Sequence, residues 1–94
     1  MSTNKETALM DAVAAGLLAT GEWRKPISFN GLMKLKTVKG DVDLRVDMTP
    51  TQSNVFALEY GLAENEWVFN DTQEIIGAVT RMLNEVREAK AKAA

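Results

Sequence analysis

The stretch ISFNGLMKLKTVKGDVDLRVDM, residues 27–48, decides the fold, because it sets two alternating runs on either side of Lys39-Gly40. Glycine accepts the positive φ that a two-residue hairpin turn demands, so the chain is predicted to reverse there. If Val38 faces Asp41, the next pairs are Thr37 with Val42, Lys36 with Asp43, Leu35 with Leu44, Lys34 with Arg45 and Met33 with Val46. Apolar pairs then share one face and charged pairs the other, and a slip by one residue would turn every apolar side chain to water. Lys34 opposite Arg45 is unfavourable, but Asp43 and Asp47 lie on the diagonals. Ile27 and Phe29 share the odd parity of Met33 and Leu35. Residues 27–38 therefore read as one long strand, bent at Gly31, with Ile27 and Phe29 facing the core.

Upstream, Thr3 and Glu6 have capping-box spacing and Gly21 stands where a helix ends in the left-handed conformation, which predicts a helix over about residues 4–20. Leu9, Met10, Val13, Leu17 and Leu18 form its core stripe, while Ala8, Ala12, Ala15 and Ala19 line the opposite side. Alanine is the best helix former and needs no partner to explain it. Small residues at this spacing also let another helix approach closely, which makes Ala8, Ala12, Ala15 and Ala19 a candidate protein interface. Trp23, just before Pro26, is predicted to close the edge of the core rather than to present a ligand platform.

Downstream, residues 49–53 form a polar connector whose Pro50 cannot donate to a ladder, so the second strand, from about residue 41, ends near Met48. A second hairpin is predicted over about residues 55–61 and 66–70. Tyr60 pairs with Trp67 and Leu58 with Phe69, all inward together with Phe56, which leaves Ala57, Glu59, Glu66 and Val68 outward. Asn70 or Asp71 caps a last helix, about residues 71–92, with an apolar stripe of Ile75, Ile76, Val79, Met82, Leu83 and Val86. The whole chain, residues 1–94, reads as a single α+β domain. It is a two-layer sandwich of helix, four-stranded antiparallel meander and helix, with both helices on one face of the sheet.

Ninety-four residues with 46% hydrophobic content support one core. The absence of cysteine removes disulfides and thiolate chemistry and suits a reducing cytoplasm, of a bacterium or of a host cell if the protein is phage-encoded. The absence of histidine removes the commonest general base and metal ligand. No apolar run approaches the ~20 residues of a membrane span, so no membrane association is expected. The net charge of −2 is unevenly laid out: residues 24–47 carry six Lys or Arg against three Asp, and residues 48–88 carry seven acids against two arginines.

Asp41, Asp43 and Asp47 share a strand face, but Lys36 and Arg45 lie among them, which describes a neutralised surface better than a hard-cation site. Glu59 and Glu66 have nothing apolar beside them to raise a carboxyl pKa. Neither a phosphate-cradling glycine loop nor a nucleophile elbow nor a zinc-ligand set is present. Catalytic residues, cofactor and metal are all expected to be absent. Arg24, Lys25, Lys34, Lys36, Lys39 and Arg45 are candidate nucleic-acid contacts. Sheet readers of single strands, however, expose aromatic rings, and Phe29, Phe56, Tyr60, Trp67 and Phe69 are all expected inside. The sequence therefore points to a non-enzymatic binding or regulatory module that occupies a protein partner and self-associates as a homodimer. Bacterial accessory and phage-encoded inhibitor proteins offer the analogy. A weak single-stranded nucleic-acid binder using the basic hairpin is the alternative.

Overall fold

Both strands of the central hairpin alternate, and they pair as the alternation requires. A computed structural model describes residues 3–48, 53–66 and 71–93. Strands β2 (Leu32–Lys36) and β3 (Asp43–Met48) pair antiparallel, with Met33 opposite Val46, Lys34 opposite Arg45, Leu35 opposite Leu44 and Lys36 opposite Asp43. Met33, Leu35, Val42, Leu44 and Val46 are buried, while Lys34, Lys36, Asp43 and Arg45 are exposed. The loop is wider than a two-residue turn. Thr37 N–H donates to the Val42 carbonyl at 3.1 Å, Gly40 N–H donates to the Thr37 carbonyl at 2.9 Å, and Gly40 sits at φ 74°. A loop of four residues closes on the same partners as one of two, so the register is kept.

The expected long strand is two strands. β1 (Ile27–Phe29) turns back on β2 through Asn30-Gly31, with φ of 50° and 79°, and pairs Ile27 with Lys34, Ser28 with Met33 and Phe29 with Leu32. Two successive positive φ values make a primed hairpin turn, for which Asn-Gly is the preferred dipeptide. Reversal through two residues exchanges parity. Ile27 and Phe29 therefore share a face with Lys34 and Leu32, and they are 67% and 74% exposed instead of buried.

The segment before β1 continues along the same edge of β2, since Trp23 bridges Thr37, Arg24 N–H donates to the Lys36 carbonyl and Val38 N–H to the Glu22 carbonyl, each at 2.9 Å. Between Trp23 and Ile27 the edge carries three residues against two on β2, and Pro26 falls in this bulge, where no ladder donor is needed. The bulge turns odd-numbered residues from inside to outside. Trp23 is buried in the core, deeper than a closing lid.

The second hairpin also differs. β4 (Ser53–Ala57) ends in a 3-10 turn, Leu58–Tyr60, and Gly61 at φ 67° leads into β5 (Leu62–Glu66). Ala57 pairs with Leu62, Phe56 with Ala63 and Val55 with Glu64, so residues expected to form the turn are strand. Val55 and Ala57 point into the core and Phe56 faces the other way, with Leu58 64% exposed, which inverts the expected faces. Of the strand assigned to 66–70, Glu66 ends β5 instead, while residues 67–70, Trp67 and Phe69 among them, and residues 49–52 of the connector lie outside the described residues.

Among the described residues the sheet has five antiparallel strands in the order β1-β2-β3-β4-β5, where four were expected. Helix α2 (Thr72–Ala93) is capped by Asp71, whose carboxylate accepts from Gln73 N–H at 2.9 Å and Glu74 N–H at 3.3 Å. Ile75, Ala78, Val79, Met82, Leu83 and Val86 bury its apolar side, and it packs on β4 and β5. Helix α1 (Thr3–Ala19) contributes buried Val13 and Leu17 and ends at Gly21, φ 80°. Leu18 leaves the expected stripe and is 48% exposed. The helices meet at Gly16, where a Cβ would clash with Ile76 Cδ1. The last helix therefore lends part of its stripe to the first. No helix among the described residues is long and apolar enough to cross a membrane.

A polar clamp ties the open ends of these elements. Buried Thr37 Oγ1 accepts from Asp41 N–H and Val42 N–H, both at 3.1 Å, and donates to Asp41 Oδ1 at 2.7 Å. Arg87 on α2 donates from Nε to Asp41 Oδ2 at 3.0 Å and from Nη1 to Glu22 Oε1 at 3.3 Å, and Lys90 donates to the Asp41 carbonyl. Hydrogen bonds from Arg87 and then from Thr37 hold the Asp41 carboxyl well below the usual carboxylate range. The folded value lies below the unfolded one of about 3.9, so the stabilisation is complete above that pH and is lost as pH falls beneath it. Asp41→Asn is expected to cost about 1–2 kcal/mol at pH 7, and the gap from wild type should narrow as urea melts are moved from pH 4 towards pH 2. A gap that stays constant over that range would contradict the clamp.

Candidate binding face of the sheet

One face of the sheet carries the core; on the other, Ile27, Phe29, Lys34, Lys36, Asp43, Arg45 and Ala63 are exposed, while Asn54 is buried. Because the strands are paired in register, the outer side chains fall in rows across them. One row runs Ile27, Lys34, Arg45, Phe56, Ala63, and the next runs Phe29, Leu32, Asp47, Asn54. Adjacent strands lie about 4.8 Å apart, so a row spans roughly 19 Å.

Three shallow depressions adjoin on this face, and Arg45 borders all of them. The largest, about 580 Å³, is bordered by Arg24, Lys25, Lys34, Lys36 and Arg45 with Asp43 as the one acid. Of the six predicted nucleic-acid contacts, these five come together, and Lys39 stays apart on its loop. Like charges at this density raise a positive local potential on a chain of net charge −2. The second depression lies between Phe29, Ile27 and Leu32 on one side and Lys34 and Arg45 on the other. The third is bordered by Phe56, Leu58, Leu32, Arg45 and Asp47.

The apolar half of this face, Ile27, Phe29, Leu32, Phe56 and Leu58, was not legible as a site from the sequence read as one long strand. Asn30-Gly31 was the available signal, since an Asn-Gly turn between alternating runs moves Phe29 outward. For Phe56 the signal was the β3–β4 pairing: Val55 opposite inward Val46 requires Phe56 to face out with Arg45.

Ala8, Ala12, Ala15 and Ala19 are exposed along α1, turned from the core as expected, and Ala15 shares one depression with Lys25 of the basic set. The acids do not gather. Asp41 is held by Arg87, Asp43 stands opposite Lys36, and Glu59 is exposed on the 3-10 turn. Among the described residues no three acids are close enough to hold a metal ion. Chemically the face can offer charge, apolar contact and aromatic surface to a ligand laid over it. Comparison of the chain with protein-family models, with curated proteins and with solved structures finds no match, which leaves the geometry of this face as the guide to function.

Proposed function

We propose that this protein is a non-enzymatic binding module whose working surface is the outer face of the sheet. One observation carries the reading: a fold with a filled core leaves Ile27 and Phe29 on β1 and Leu58 beyond β4 exposed on either side of a cluster of cations. Scattered apolar residues at a surface need no explanation, but large apolar side chains left exposed around a cluster of cations on one sheet face mark an interaction site. The depressions are broad and shallow, which suits a macromolecule better than a small molecule that must be enclosed. Asp41 is committed to a structural ion pair, which leaves it no general-base role. Such a module acts by occupation, as accessory and inhibitor proteins do, and a cysteine-free chain suits a reducing cytoplasm.

The second reading is docking of a protein, or of a second copy in a homodimer, on α1. Exposed Leu18 beside the alanine row favours it. One experiment separates the two. Immobilised wild type, a Phe29→Ser/Leu58→Ser variant and an Ala12→Glu variant are each exposed to lysate of the source cells, with and without nuclease. A component retained by wild type and Ala12→Glu but lost by the sheet variant is expected. Loss confined to Ala12→Glu would move the site to the helix, and equal retention by all three would overturn both readings.

A further inference from the structure

The charge and aromatic layout of the sheet face says what chemistry it fits. Resting on the reading of that face as the working surface, we infer that its occupant is a single strand of nucleic acid laid across the β-strands. Its phosphates would meet the cations around Arg45 and its bases would meet Phe29 and Phe56.

The first argument is charge complementarity. Arg24, Lys25, Lys34, Lys36 and Arg45 border one depression against a single acid, Asp43. That concentration of cations is what an anionic backbone selects, and Arg45 is central because it borders the neighbouring depressions as well.

The second argument is the placement of the rings. Phe29 is 74% exposed on β1, and Phe56 is partly exposed on β4, opposite Arg45. They are three strands apart and offset by one row, which at about 4.8 Å per strand and 3.4 Å per residue separates them by roughly 16 Å. Leu32 and Lys34 on β2, and Asp47 and Arg45 on β3, lie between them. A strand that stacks on both rings passes beside the two cations, Lys34 and Arg45, and beside one acid, Asp47. Stacking on a flat sheet needs bases whose faces are free, which a duplex does not offer.

The third argument is against a protein occupant. Protein interfaces concentrate apolar residues at the centre, deplete lysine there and put charge at the rim. Here the pattern is reversed, with Lys34 and Arg45 in the middle of the row and Ile27 and Phe56 on either side. The two aromatics thus remove the objection that basic sheet residues without exposed rings make a poor single-strand reader.

Fluorescence anisotropy of a labelled oligothymidylate about eight nucleotides long, titrated with the full chain over a salt series, tests the inference. Neutralising three or four phosphates gives a log–log salt slope of about −2 to −3. Arg45→Ala should reduce the slope by about one unit. Phe29→Ala should weaken binding about tenfold with the slope unchanged, and Phe29→Tyr should retain affinity. Phe29 is exposed, so these variants keep the fold, which a thermal melt checks. A duplex of the same length should bind more weakly than the single strand. Absence of binding at low salt, binding indifferent to Phe29→Ala, or preference for duplex would each overturn the inference. If oligonucleotides fail but a nuclease-resistant component is still lost with Phe29→Ser/Leu58→Ser, the occupant is a protein and the face stands. If nothing depends on those residues, the face fails as well.

Discussion

Trp23→Ala is expected to destabilise the protein by about 3–5 kcal/mol, the largest loss from any single truncation among the described residues. Trp23 is buried and bridges Thr37, while its neighbours Glu22 and Arg24 hydrogen-bond to both sides of that bridge on β2. Removing the ring takes away a large apolar area and leaves a cavity that the backbone, pinned at 2.9 Å on each side, cannot collapse to fill. Glu22 also receives Arg87, so the segment is held from α2 as well. Denaturant melts check the figure. A cost below about 1 kcal/mol would mean that the ring only covers the rim, as the sequence alone suggests, and that the bulge around Pro26 does not carry the chain from the core to the outer face.

Leu35→Ala and Leu44→Ala come next, at about 2–5 kcal/mol each, against less than about 1 for Lys36→Ala. Leu35 and Leu44 are direct partners on β2 and β3 and both are buried, whereas Lys36 lies on the outer face beside them. The two leucines share a cavity when both are truncated, so the double variant should not be additive. Urea melts of the four proteins decide it. Equal small losses at all three positions would mean that the faces of the sheet are reversed, and with them the binding surface.

The central hairpin was legible because each of its strands alternates strictly, so one register satisfies every apolar position and a slip satisfies none. The edges were not. A straight strand and a hairpin through Asn30-Gly31 are both compatible with the odd parity of Ile27, Phe29, Met33 and Leu35, and only the turn chemistry distinguishes them. The same confusion of parity hid Phe56, because the strand stops at Ala57 and Leu58–Tyr60 coil into a 3-10 turn. Alternation tells which residues share a face but not where the chain turns. The helices were read more closely, since the stripe of α2 and the outward alanines of α1 follow a helical period over many residues. Their contact at Gly16 and Ile76 was missed because close approach of two helices leaves only a glycine as its trace. The basic half of the candidate site could therefore be named from the sequence, and its apolar half needed the turns.

The claim at the centre of this account is that the outer sheet face, and not the helical side, meets the ligand. Amide and side-chain NMR shifts followed during titration with a single-stranded oligonucleotide test it most directly. The account predicts that the largest changes fall on Phe29, Lys34, Arg45 and Phe56, with Ala8, Ala12, Ala15 and Ala19 unmoved. Changes concentrated on the alanine row of α1, or spread evenly over the cations wherever they lie, would contradict it.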